Sequence, residues 1–470
     1  MAPAARCRAA SADSAASLRL LAAAGALLVA SGFALLWAVR DLTHARADTV
    51  AAVLPLILGL SVPAAAGLAL SPRLARLPDR GPALLIVVLV GFALRILWLG
   101  QPGPLEDDYN RYMWDGAVLA AGLDPYAVAP AAVIAHPDAY PHYAAPRARA
   151  GSVMAAINFP EVPTIYPGTA LAAFGLASLI APFDLDGLRI VLLAAECATL
   201  ALLLALLPRL GASRLHAALY WWNPLAAYMT VGIAHIDALL PPLVLAAIWL
   251  SHASRHTAAL AVLGLAAGVK VWPVLLAPLM VRPLLGDPRR LLPAAAVLIL
   301  VLAATLGPFL VAALRPGSAL AFYVSRGTNN AAFFAWAYKL VTSLLGDPAV
   351  AWRIVSMTAL LATLGTAFGC GLVSGDRSLQ RTYRAALLIA AATFYLSAQQ
   401  FPWYALWFLP LAALVRCRPL LLASATLPFY YLFFPLWQTG RGELFQLGAA
   451  FLHAVPVLGW LLWDKVIQRQ

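Results

Sequence analysis

Apolar residues fill most of the chain in runs of about 17 to 25, the length a helix needs to cross ~30 Å of hydrocarbon. The pattern predicts helices at 17–39, 48–70, 82–100, 166–182, 187–207, 215–233, 237–251, 257–281, 291–314, 350–373, 383–400, 402–416, 419–436 and 444–463. That is an all-α, polytopic bundle of twelve to fourteen crossings, read as one membrane domain over 1–470. The first run follows an arginine-containing stretch, as a signal peptide would. Its length and the lack of a clear cleavage site make it a retained span. Two stretches break the apolar pattern, 101–165 and 315–349, and read as long loops carrying interfacial helices.

Charge then orients the bundle. The net charge is +12, but the basic residues sit in short turns between spans, which points to the positive-inside rule and excludes nucleic acid as a partner. Arg6, Arg8 and Arg19 precede the first span, and Arg73, Arg76 and Arg80 follow the second. Arg377, Arg381, Arg384, Arg416, Arg418, Lys465 and Arg469 mark later turns, so these belong inside. The loop 101–165 is acidic and belongs outside, and 315–349 joins it on that face. Plain counting puts Arg209, Arg214 and Arg255 outside. Broken or re-entrant segments at 166–182 and 271–281, where Tyr166-Pro167-Gly168 and Trp272-Pro273 interrupt the pattern, return them inside. The cysteines Cys7, Cys197, Cys370 and Cys417 have no metal-like spacing, so neither a disulfide nor a zinc site is expected.

The densest chemistry lies at 105–126, LEDDYNRYMWDGAVLAAGLDPY, with five carboxylates, one arginine and three tyrosines beside an apolar span. Ionisable groups are costly next to a bilayer, so the cluster is the first candidate for function. On a helix over 108–121, Asp108, Arg111, Tyr112 and Asp115 share one face, while Met113, Ala117, Ala120 and Ala121 share the other; Asp107 points about 100° away from Asp108. The apolar face would rest on the bundle and the polar face on a water-accessible cavity. A solvated interfacial helix is the plainer reading of the same pattern. Gly122 and the Asp124-Pro125-Tyr126 turn should stop the helix.

Further clusters follow. NFPEVPTIYP at 158–167 has three prolines in eight residues, prescribing an extended return that brings Asn158, Glu161 and Tyr166 back to the bundle mouth. Asn223, in Trp222-Asn223-Pro224, and His235 and Asp237 stand out in apolar sequence. His235 and Asp237 cannot share a helix face and are useful only near a helix end, which Pro241 and Pro242 support; Asp237 also fits a simple cap. Lys270 is an intramembrane cation, an anion binder or a snorkelling lysine. In the second long loop, Arg326, Asn329, Asn330, Trp336, Tyr338 and Lys339 suit a lipid phosphate or an aromatic belt. Gln399, Gln400, Trp403 and Tyr404 put two amides and two aromatics at a membrane boundary.

Taken in order, DDYNRYMWDG, GLDPY, NFPEVPTIYP, WNP with HID, and QQFPWYALWFLPL resemble the bacterial GT-C class mannosyltransferases that use polyprenyl-phosphate mannose. The resemblance is strongest to the alpha-mannosyltransferase group with a D-x-x-R-Y-x-W-D-G loop, and it covers roughly 82–411. It implies an active site in the first extracytoplasmic loop, 101–165, of an enzyme in the bacterial inner membrane. There Asp108 would be the base on an acceptor hydroxyl, Asp115 the W-D-G aspartate and Asp107 an additional acid. The family's N-G-H-N-D is represented by Gly232, His235 and Asp237 without the asparagines, and its doubled proline by Pro167-Gly168.

The expected reaction is inverting transfer of a hexose, mannose by the resemblance, from a polyprenyl-phosphate donor to a lipid or glycan acceptor. Lys270 and Arg111, with His235, would stabilise the departing phosphate. No cofactor or metal is needed, though Asp107 and Asp108 could hold Mg²⁺ weakly. Tyr112, Tyr126, Asn158, Glu161, Tyr166, Asn223, Asp237, Gln399, Gln400, Trp403 and Tyr404 complete the candidate substrate surface. Glucose or aminoarabinose as the sugar, and lipid A or protein as the acceptor, are the near alternatives. A lipid flippase or transporter using His235, Asp237 and Lys270 as its path is the rival of another class.

Overall fold

Several apolar runs open as helices on a first-turn proline, while Val50–Leu74 and Pro288–Ala313 also carry prolines in their interiors. Pro82 opens one helix, and Asp287-Pro288 and Asp347-Pro348 open two more, each aspartate accepting from the backbone N–H groups that follow. The computed structural model describes residues 2–74, 77, 79, 81–324, 327–373 and 378–467. Arg76, Arg80, Arg326, Arg377 and Arg469 lie outside them.

The chain is all-helical, with no strand among the described residues. Helices α1 (Ala2–Val39), α2 (Val50–Leu74) and α3 (Pro82–Ile96) pack together before the first long loop, which carries α4 (Asp108–Ala120). Then come α5 (Gly168–Ile180), α6 (Leu185–Leu206), α7 (Leu240–His252), α8 (His256–Ala267) and α9 (Pro288–Ala313). Helix α4 packs along α5, and α8 lies between α7 and α9. The second long loop carries α10 (Ala332–Leu345), followed by α11 (Pro348–Phe368), α12 (Leu379–Leu396), α13 (Arg418–Thr426) and α14 (Ala450–Ile467).

Seven helices among the described residues are long and apolar enough to cross a membrane: Ala16–Val39, Val50–Leu74, Leu185–Leu210, Pro288–Ala313, Pro348–Leu372, Arg418–Gln438 and Gly442–Asp464. An eighth crossing is formed if Pro224–Gly232 and Ile236–His252, bent by 107°, act as one span. The runs expected at 82–100, 166–182, 257–281 and 402–416 give apolar helices of only 10–17 residues. Gly268 and Pro273 split 257–281 into α8 and a 3-10 turn, Trp272–Leu276.

The sharpest break falls at 233–235, which the apolar pattern presents as a plain gap between two spans. Ala234 there adopts a left-handed φ of +52°. Buried Arg189 donates to the carbonyls of Val231 and Gly232 at 2.7 and 2.6 Å, and to Gln101 O at 2.6 Å. Broken backbone inside a bundle persists only where its polar groups find such partners. A second buried arginine, Arg95, pairs with Glu196 at 2.6 Å and donates to Trp221 O. The two long loops meet at one end of the bundle: Arg315 donates to Tyr126 O at 3.2 Å, and the Phe159 and Phe322 rings lie 5.6 Å apart.

Candidate functional site

The site is built on α4. Asp107 stands at its N-terminus and Gly122, at φ +74°, lies just past its end, as the sequence pattern predicts. The expected division into a packing face and a cavity face does not hold, because residues 110–118 are all buried. Gly116 explains the tight fit: a Cβ there would come within 2.3 Å of Phe174 O on α5, so the helices approach backbone to backbone. The W-D-G glycine is a packing residue.

Burial divides the acids of α4 into two kinds. Asp115, 1% exposed, is paired with Arg111 at 3.0 Å. Burial raises its carboxyl above the usual range, against the opposing charge of Arg111 and a hydrogen bond from Thr164. Arg111 also donates to Phe159 O and Val162 O at 3.4 and 3.1 Å. The pair therefore clamps the proline-rich return to α4, and the Arg111 guanidinium is occupied by that clamp. Asp108, two turns before Asp115, is half-buried.

The return loop closes over this end. Asn158 Nδ2 donates to Asp108 Oδ1 at 3.1 Å and also to Asp107 Oδ1, so Asp107 is joined to Asp108 rather than set apart from it. Burial, with the Asp107 charge adding to it, raises the Asp108 carboxyl from 3.8 to about 6, while Asn158 and the Lys270 ammonium oppose. Asp107 is raised by burial too, and His44, 3.6 Å from its Oδ2, opposes the shift. Glu106 is buried with Oε1 unpartnered, and burial beside Asp108 and Asp107 pushes it well above the ordinary range.

The opposite wall comes from the broken segment. The break leaves His235 at the N-terminal boundary of the 3-10 turn Ile236–Leu239, with Asp237 in its first turn and both 1% exposed. His235 Nδ1 lies 3.3 Å from the Tyr112 hydroxyl, its ring stacks 3.9 Å from Trp403, and its Nε2 is buried without a partner. Asp237 accepts from Lys270 Nζ at 2.8 and 2.9 Å and from Trp407 Nε1 at 2.6 Å. Lys270 reaches this pair because Gly268 ends α8 against α5, where Thr169 and Ala170 donate to its carbonyl. Its ammonium also lies 3.9 Å from the Tyr404 ring, and the Tyr404 hydroxyl is 3.2 Å from that of Tyr323.

The structure thus brings together Asp107, Asp108, Tyr112, Asn158, His235, Asp237, Lys270, Trp403 and Tyr404. Tyr166 packs edge-on against Tyr112 at 5.0 Å, and Tyr126 holds the Tyr166 carbonyl at 2.6 Å. Other candidates have different work. Asn223 caps Pro224–Ala227 by accepting from Ala226 N. Gln400, fully buried, donates to Tyr395 O and Ser397 O at the end of α12, and Gln399 and Asn329 pair through their backbones. Asn330 donates to Gln400 O at 2.8 Å, so the asparagines stitch the second loop to 399–400. Glu161 is exposed at the loop surface.

Sequence reasoning missed Trp407, Tyr323, Arg189 and His44. Trp407 alone had a signal, lying four residues after Trp403 and three after Tyr404 in one aromatic run. Among the described residues, no group of three or more His, Cys, Asp or Glu side chains could hold a metal ion. Cys197 and Cys370 are free thiols.

The fold and site define an all-helical membrane protein with a recessed carboxylate cluster facing a histidine and a lysine–aspartate pair. No family model, curated protein or solved structure matches the chain.

Proposed function

We propose that the chain is a membrane glycosyltransferase of the GT-C type, moving a hexose, mannose by the resemblance, from a polyprenyl-phosphate donor to a lipid or glycan acceptor. The observation that carries this reading is the position of Asp108: half-buried, tied through Asn158 to Asp107, and within electrostatic reach of Lys270 and Asp237. A carboxyl near 6 is ionised at neutral pH yet basic enough to accept a proton in a transition state. Asp108 takes the acceptor hydroxyl proton as that oxygen bonds to the anomeric carbon. The bond from that carbon to the phosphate oxygen breaks with inversion, and polyprenyl phosphate leaves with the bonding electrons.

Negative charge then grows on the phosphate, and preorganised donors there lower the barrier most. Lys270 has a third N–H beyond its two bonds to Asp237. If the Tyr112 hydroxyl donates to His235 Nδ1, the unpartnered Nε2 carries the ring proton and becomes a second donor. The Arg111–Asp115 clamp serves the loop that delivers Asn158, and no cofactor or metal takes part. This reading places the enzyme in the bacterial inner membrane, with both long loops extracytoplasmic and the short apolar helices completing twelve to fourteen crossings.

The rival reading, a flippase or transporter, draws on the buried Arg95–Glu196 and Lys270–Asp237 pairs, since ionic groups at membrane depth often line a path. Purified protein incubated with polyprenyl-phosphate mannose and membrane glycolipid extract separates the two. Sugar transfer supports the enzyme; ion-coupled flux in liposomes without transfer supports the rival.

A further inference from the structure

Three elements that converge on the carboxylate cluster converge again at their far ends. Helix α7 runs from the Asp237 turn to His252, the segment after Lys270 runs to Arg282, and α12 runs back from the 399–404 turn to Arg381. Those ends form an open pocket of about 60 Å³ whose lining includes Ser251, His252, Arg282, Arg381 and Thr382. At 1.5 Å per residue, α7 and α12 set it roughly 20 to 27 Å from the cluster, close to the thickness of a bilayer core.

The geometry points to a binding site here for the phosphate of an anionic phospholipid, in the leaflet opposite the carboxylate cluster. Two guanidiniums, two hydroxyls and an imidazole suit a phosphodiester. Arginine forks match phosphate oxygens better than any other side chain. The surroundings select a lipid over a free ion: Ile248, Leu279, Pro283 and Ala385 complete the lining beside the polar groups. A cation pocket with apolar side chains in its own lining matches an amphiphile, charged at the head and apolar below. Arg381 belongs to a basic turn that the charge pattern assigns to the cytoplasmic side, where anionic lipid is enriched. The wall is closely built, since a Cβ on Gly371 would meet Pro278 Cβ at 2.5 Å.

This site needs only that the chain be embedded in a membrane, so it stands or falls separately from the transferase reading. The test is native mass spectrometry of the full-length protein released from nanodiscs containing phosphatidylglycerol and phosphatidylcholine, with inorganic phosphate alone as a further arm. Wild type retains phosphatidylglycerol in preference to phosphatidylcholine. The Arg282→Gln/Arg381→Gln pair loses that preference at least tenfold, while Arg289→Gln/Arg353→Gln and Asp108→Asn keep it. Equal retention of both lipids by wild type, an unchanged preference in the pocket pair, or displacement of the lipid by millimolar phosphate would overturn the proposal. Should the pocket pair fail to fold, photoactivatable phosphatidylglycerol on wild type decides: crosslinks in 279–285 and 368–372 support the site, and their absence there refutes it.

Discussion

Asn158 Nδ2 lies 3.1 Å from Asp108 Oδ1, across fifty residues of sequence, and the same nitrogen reaches Asp107. One amide thus holds two adjacent carboxylates together and draws the Asp108 carboxyl down against burial and its neighbour's charge. Replacing Asn158 with Leu removes that hydrogen bond, so the Asp108 pKa rises above about 6. The acidic limb of the pH–rate profile then moves to higher pH, and transfer at pH 7 falls by about tenfold or more. An unchanged limb would mean that Asn158 does not set the base.

Asp108 also gives a stability signature. Its folded pKa of about 6 exceeds the ordinary 3.8, so ionising it opposes folding. That cost develops as pH rises from about 4 through about 6 and is complete above. Asp108→Asn removes it, so thermal melting should show the variant at least as stable as wild type at pH 8, with its advantage shrinking at pH 5.

Lys270 and Asp237 form a pair whose aspartate is 1% exposed. Lys270→Met strands a buried carboxylate and should cost about 3–5 kcal/mol. Adding Asp237→Asn should restore most of it. Thermal unfolding of the two single variants and the double, as one cycle, measures the coupling.

Gly116 faces Phe174 O so closely that a methyl group does not fit. Gly116→Ala should shift α4 off α5 and destabilise the protein by about 1–3 kcal/mol. Activity should fall with it, because Asp108 and Tyr112 ride on α4. A lowered melting temperature with normal activity would uncouple the packing from the site.

Much of this was legible in sequence, for physical reasons that can be named. Apolar runs and first-turn prolines are local signals, so helices such as α2, α6 and α9 appear close to their predicted bounds, while 215–233, 257–281 and 402–416 are broken into shorter pieces, and Gly122 ends α4 where it should. Helical projection put Asp108 and Tyr112 on one face, but it could not know that α4 is packed on every side. For that reason it grouped Asp115 with Asp108, although Arg111 locks one acid and leaves the other open. The Lys270–Asp237 pair joins residues 33 apart across a break, and Trp407 reaches Asp237 from 170 residues away. Contacts of that span arise from tertiary packing and leave no periodic trace. Short helices such as α5 and α8 have the composition of spans without the length, which is why run-counting overstates the long helices.

The most direct measurement is a side-by-side transfer assay of wild type, Asp108→Asn and Asp115→Asn in detergent, using polyprenyl-phosphate mannose and a membrane glycolipid acceptor, with folding checked by thermal melting. The account predicts that folded Asp108→Asn loses at least about a hundredfold in rate across pH 6 to 9. Any loss in Asp115→Asn should follow its lowered melting temperature. Transfer by Asp108→Asn at the wild-type rate would contradict the assignment of the base and, with it, the chemistry proposed for the cluster.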